Sequence, residues 1–191
     1  RSDALREGAI SPVYFRHLDG RAEWEDEQGE VRAVDSLRGG DYAPAALFTA
    51  LRTDYARDLL DETLSDWRRH RAEVYPAGKL LVVAPNIEFA GVYLEHLRRR
   101  GVEALLATSD DSPAATQAIA RFKGRALPST DCLVTVAMAY EGMSVPEISH
   151  VALLTHIRSV PWLEQCFARA NRRAPGKVAG YIYGPDDSRL R

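Results

Sequence analysis

From Lys79 onward the chain alternates between two hydrophobic patterns. LLVVA (80–84) is a continuous apolar run, the signature of a parallel strand buried on both faces. A helical pattern follows, with Phe89, Tyr93, Leu94 and Leu97 on one side and Gly101 just past its end. EALLA (103–107) predicts a second strand, and Ser112-Pro113 opens a helix that turns Ile119 and Phe122 inward. DCLVTVAM (131–138), HVALLTH (150–156) and AGYIYG (179–184) predict three more strands, with a helix from Pro161 to Asn171 between the last two. Strand and helix alternate, and the connections are too long for hairpins. The predicted fold class is α/β, a three-layer α/β/α arrangement around a mostly parallel twisted sheet.

The part of the chain before Lys79 reads differently. Residues 42–72 carry Leu47, Leu51, Tyr55, Leu59, Leu60, Leu64 and Trp67 at helical spacing opposite a charged face, and Pro76-Ala77-Gly78 ends the pattern. Residues 1–41 predict a small β-hairpin/helix adapter: VYFRHL as a strand, Asp19-Gly20 as its hairpin turn, RAEWE as the return, and Arg38-Gly39-Gly40-Asp41 as a linker. The expected division is an adapter over 1–41 and the α/β domain over 42–191.

Composition narrows the picture. A chain of 191 residues, 46% hydrophobic and 27% charged, can bury one ordinary core. A net charge of -2 excludes a generally basic nucleic-acid magnet, so any such contact must be local. Cys132 and Cys166 sit in apolar company, without the spacing of a zinc site, and are expected as buried thiols. No run is long enough for a membrane span and no signal peptide is visible, so a cytoplasmic protein without a membrane partner is expected. The chain opens at Arg1 and stops soon after a strand, which reads as an excised piece.

Three segments fall where ligands of such sheets bind, at the carboxyl ends of strands. Pro85-Asn86 follows the first buried strand; Asn86 reads first as a helix cap and second as an anion contact. LVTVAMAYEGMSVPEISHV (133–151) offers the Thr135 hydroxyl and a close backbone approach at Gly142, or is an ordinary connection. In QCFARANRR, Gln165, Arg169 and Arg172 stand at i, i+4 and i+7 and share a face if the helix continues. That face is either a solvated basic surface or a pair of guanidinium groups aimed at phosphate oxygens. No G-x-x-x-x-G-K-[ST] occurs: Gly78-Lys79 and Gly176-Lys177 lack its other members. The acidic runs at 23–27 and 109–111 do not look like a metal-holding motif. No G-x-G-x-x-G follows a predicted strand, which disfavours a dinucleotide enzyme. His150 and His156 read as core or edge residues, Trp24, Trp67 and Trp162 as packing, and Arg98-Arg99-Arg100 as a solvated helix end.

In order and spacing these segments resemble the C-terminal half of superfamily 2 helicases. KLLVVAPNIEFAGVYLEHLRRRG is similar to motif IV, IARFKG to the element before the next strand, DCLVTVAMAYEGMSVPEISHV to motif V, and QCFARANRR to motif VI in its Q-x-x-x-R-x-x-R form. The wording of motif V looks closest to restriction-enzyme motor subunits and related phage or bacterial translocases, and LREGAISPVYF resembles their inter-domain segment. The resemblance implies a RecA-like domain in which Arg172 is the arginine finger, Arg169 its companion and Gln165 the residue orienting them. Gly142, with Glu141 and Ser144, is implied to face the nucleotide, and Asn86, Pro85 and Thr135 the nucleic-acid backbone. Two positions depart: Ser144 stands where the family has an acid that contacts the ribose, and Ala168 where it has Gly. ATP and Mg²⁺ are implied to be held mainly by an N-terminal P-loop RecA-like domain of the same protein, with DNA the expected strand and RNA open. Without that domain the chain is expected to be inactive. The alternative is a degenerate RecA-like domain serving as a non-catalytic nucleic-acid or protein binding module.

Overall fold

The computed structural model describes residues 9–39, 43–109, 112–136, 143–187 and 190. The strands are β1 (Val13–Leu18), β2 (Ala22–Glu25), β3 (Val31–Val34), β4 (Lys79–Ala84), β5 (Ala104–Ala107), β6 (Cys132–Val136), β7 (Ile148–Leu153) and β8 (Gly180–Pro185). The helices are α1 (Ala43–Ala50), α2 (Asp54–Glu73), α3 (Ile87–Arg99), α4 (Ser112–Phe122) and α5 (Val160–Ala170). A six-stranded sheet has the order β1-β8-β7-β4-β6-β5, and every pairing in it is parallel. This is the α/β/α sandwich that the alternation predicts.

Strand β4 shows why the apolar runs had to be central. All its residues are buried, and alternate side chains serve different cores. Leu80 and Val82 pack with Leu59, Leu60, Leu64 and Trp67 of α2 and with Tyr93 and Leu97 of α3. Leu81 and Val83 pack on the other face with Phe122 of α4 and Leu163, Cys166 and Ala170 of α5. Crossovers toward the β5 edge use the α2 and α3 face, and those toward the β1 edge use α4 and α5. Opposite directions on opposite faces give every helical crossover the same hand, as strand twist requires.

Three expectations are corrected. β1 is no adapter strand: it pairs with β8 along its whole length, from Val13 opposite Gly180 to Leu18 opposite Pro185. Asp19-Gly20 is accordingly not a hairpin turn. The Asp19 carboxylate accepts from the backbone N–H of Gly20 and Leu37 and from the Ser36 hydroxyl, which bends the chain out of the sheet. The hairpin is β2–β3, closed by Asp26, whose Oδ1 accepts from the N–H of Gln28 and Glu30, and by Gly29 at φ 78°. It packs through Ala22 on Ala46 and Ala50 of α1. The helix expected over 42–72 is two helices, because Thr53 adopts extended backbone and caps α2, accepting from Tyr55 N–H at 3.4 Å while donating to Ala50 O at 2.8 Å. No helix among the described residues is long and apolar enough to cross a membrane.

Candidate nucleotide and nucleic-acid interface

Asn86 sits directly after β4 in extended backbone, and its Oδ1 accepts from Phe89 N–H at 2.9 Å. It caps α3, so its amide nitrogen, not its oxygen, is the part left to meet an anion. Pro85 and Asn86 are both half-buried at this corner. Thr135 lies on the adjacent strand β6, opposite Val83, which stands three residues before Asn86. The two side chains do not meet a common surface, however. Asn86 opens a helix on one face, whereas Thr135 is 3% exposed, donates to Val136 O at 3.2 Å, and lines a small apolar cavity on the other face. That cavity is bounded by Leu81, Val83, Met143, Trp162, Cys166 and Arg169. The hydroxyl expected to meet a phosphate therefore faces the protein interior.

Helix α5 follows its N-cap Ser159, carries Pro161 in its first turn, and buries Leu163, Cys166 and Ala170. Gln165 is exposed and Arg169 half-buried. The helix does not continue to Arg172: Asn171 is its C-cap, donating N–H to Phe167 O, so the i+7 relation fails. Arg172 is still brought to the same place. Arg169 Nη1 donates to Met143 O at 2.9 Å, and Arg172 Nη1 donates to Ser144 Oγ. Both guanidinium groups thus converge on the segment immediately after Gly142. Gly142 and Glu141 themselves lie outside the described residues. Burial, with the Arg172 charge close by, pulls Arg169 down from its ordinary value, but a guanidinium starts high enough to stay charged.

Sequence reasoning missed Lys177. Its side chain is buried, and the ammonium donates to Ala170 O at 2.8 Å, Arg172 O at 2.8 Å and Pro146 O at 3.0 Å. Burial lowers its pKa to about 8, opposed by the charge of Glu147. Gly180, at the start of β8, lets the end of α5 come close: a Cβ there would lie 2.4 Å from Ala170 O. Pro146 precedes β7, so the Arg172 backbone lies toward the amino end of that strand and not at the carboxyl ends where Asn86 stands. Lys177 was visible only as the Gly-Lys of an incomplete phosphate loop; no local pattern signals that the carbonyls of Ala170 and Arg172 converge on it together with that of the distant Pro146.

The opposite face carries a different polar cluster. Asp66 Oδ2 accepts from Tyr183 OH at 2.6 Å and from His150 Nε2 at 3.2 Å, and Ser149 Oγ lies 3.0 Å from His150 Nδ1. Burial, reinforced by His70 and Arg69 against the pull of Asp66, lowers His150 to about 4. His150 is thus the satisfied core histidine its position predicts. His156 is exposed and packs edge-on against Phe48 at 5.7 Å. Trp67 is a packing residue that also donates to Gly78 O at 3.0 Å. Cys132 and Cys166 are buried and free, and burial pushes Cys166 up to about 12. Among the described residues no group of three His, Cys, Asp or Glu side chains could hold a metal ion.

No family model matches the chain. Two uncharacterized proteins of Mycobacterium tuberculosis, Rv2917 and MT2985, are each 28% identical to it over 184 residues, which is 93% of this chain and 30% of each relative. The chain therefore spans under a third of the length of the curated relatives it matches. Among solved structures, the C-terminal part of the Fun30 ATPase domain superposes with a TM-score of 0.55 at 12% identity, over 71% of this chain and 42% of that one. Domain 2 of the DEAD-box helicase Mss116p, solved with an RNA duplex, gives 0.51 at 14% identity over 68% of this chain and 50% of that one. The E. coli DEAD-box protein SrmB, solved with regulator of ribonuclease activity A, gives 0.50 at 20% identity over 66% of this chain and 71% of that one. The fold is that of the helicase C-terminal RecA-like domain. The likeness gives no preference for restriction-enzyme motors.

Proposed function

We propose that this chain is the second motor domain of an ATP-dependent helicase or translocase. The supporting observation is the convergence of Arg169 and Arg172 on the 143–144 segment. It joins the two sequence elements that resemble motifs V and VI at one surface. ATP is the substrate, and its phosphates and Mg²⁺ are assigned to a P-loop domain elsewhere in the protein, because this sequence carries no G-x-x-x-x-G-K-[ST]. Closure of the cleft between the domains brings Arg172 to the terminal phosphate as charge spreads over its oxygens, with Arg169 beside it and exposed Gln165 one turn earlier. Hydrolysis and reopening move the pair along a nucleic-acid strand, held at the α3 corner by Pro85 and Asn86. These contacts are to the backbone and carry no base information.

Arg172→Ala in the full-length protein is expected to lower strand-stimulated ATP turnover by roughly 10³-fold or more, with a much smaller change in ATP affinity. Normal turnover would remove the finger role. It would favour a non-catalytic binding module, in which the Arg172–Ser144 contact serves only to hold the domain together.

A further inference from the structure

We infer that Lys177 is a positioning residue for Arg172, fixing where the finger's backbone starts. The inference rests on the motor reading above. An ammonium has three donors, and Lys177 directs all three at carbonyls: Ala170 O, Arg172 O and Pro146 O. Capping the end of α5 accounts for Ala170 alone, and a glycine or asparagine does that without burying a charge. Arg172 lies beyond the helix, and Pro146 belongs to a separate segment. Lys177 therefore ties the exit of α5 to the 143–146 stretch. That is the stretch the two arginines touch with their side chains.

The two kinds of tie differ in what survives the reaction cycle. Arg172 must release the Ser144 hydroxyl to reach a phosphate, and its guanidinium then no longer anchors it to this domain. The backbone tie through Lys177 does not involve the guanidinium, so it persists. Gly180 meets the same helix end, because its missing side chain admits the Ala170 carbonyl. The finger then swings from a fixed point and not from a free helix end. Misplacing a catalytic group by about 1 Å costs on the order of 10²-fold in rate.

The test uses the full-length protein with Lys177→Met, which keeps the length and removes all three donors. Lys177→Gln, which keeps two, serves if the first variant does not fold. A thermal melt shows which variants are folded. The expected result is a fall in kcat for ATP of roughly 10- to 100-fold, with KM within about threefold. In an Arg172→Ala background the same change is expected to have no further effect, because Lys177 acts through that side chain. Three results overturn the positioning role: an unchanged kcat in a folded variant, a change confined to KM, or an undiminished loss in the Arg172→Ala background. If neither variant folds, Lys177 merely holds the fold and the role also falls. Normal turnover from Arg172→Ala alone defeats the motor reading instead, and the inference falls with it.

Discussion

His150 and Lys177 are buried bases on opposite faces of one sheet, and burial lowers both, yet they reach neutral pH in different states. His150, lowered to about 4, is an uncharged imidazole. Its neutral form suits its partners: one ring nitrogen donates to Asp66 and the other accepts from Ser149. Lys177, lowered only to about 8, keeps its charge and the three protons that its carbonyls require. The first arrangement joins α2 to β7 and β8 within a closed core. The second joins two loop-like exits at the surface where the arginines emerge. A buried charge is costly: at the face proposed to carry function the buried charge is the Lys177 ammonium, whereas on the other face it is the Asp66 carboxylate and the base beside it is neutral.

Beyond the loss of turnover expected of Arg172→Ala, the two clusters should respond differently to substitution and to pH. The largest stability effect belongs to the His150 face. Asp66→Ala would leave Tyr183 OH and His150 Nε2 without their acceptor, at an expected cost of about 3 kcal/mol in unfolding free energy, read by urea titration. A loss below about 1 kcal/mol would show that the cluster is incidental.

A pH scan of stability sharpens the contrast. Between the ordinary histidine value of 6.5 and about 4, the unfolded chain binds the proton that folded His150 refuses. Stability from this group is therefore complete above 6.5 and falls on acidification, by about 3 kcal/mol at the lower end. Lys177 gives the same sign in another window: stability rises from about 8 toward its unfolded 10.5, and the rise should vanish in Lys177→Met. Melting temperatures flat across the acid window would mean that His150 is charged in the fold. The smallest effect is at the α3 corner, where Asn86→Ala removes a cap worth about 1 kcal/mol, measurable by the same titration.

The central strands were legible because both their faces are buried, and continuous apolar runs such as LLVVA have few other uses. β1 was not, because it lies at the sheet edge: Tyr14 is 52% exposed, and its sequence carries the mixed pattern of a half-covered strand. The Asp-Gly after it signals a turn, but which partner the strand takes is decided by residues 180–185, far along the chain. The arginines of the candidate site were legible as residue types at a spacing, yet the end of α5 at Ala170 was not. Arg172 meets Ser144 from beyond the helix. Lys177 and the inward turn of Thr135 were invisible for one reason: each depends on which face or which distant carbonyl a side chain meets, and that is fixed by tertiary packing.

The partnership of β1 with β8 has a mechanical side. The two strands run parallel through six paired residues. Tension that enters ahead of Val13 and leaves beyond Pro185 pulls them along their shared axis in opposite directions. Every rung of that ladder is then loaded in shear at once, and none is peeled in turn. The seam that joins the earliest and latest strands of the sheet therefore meets such a pull with its whole ladder.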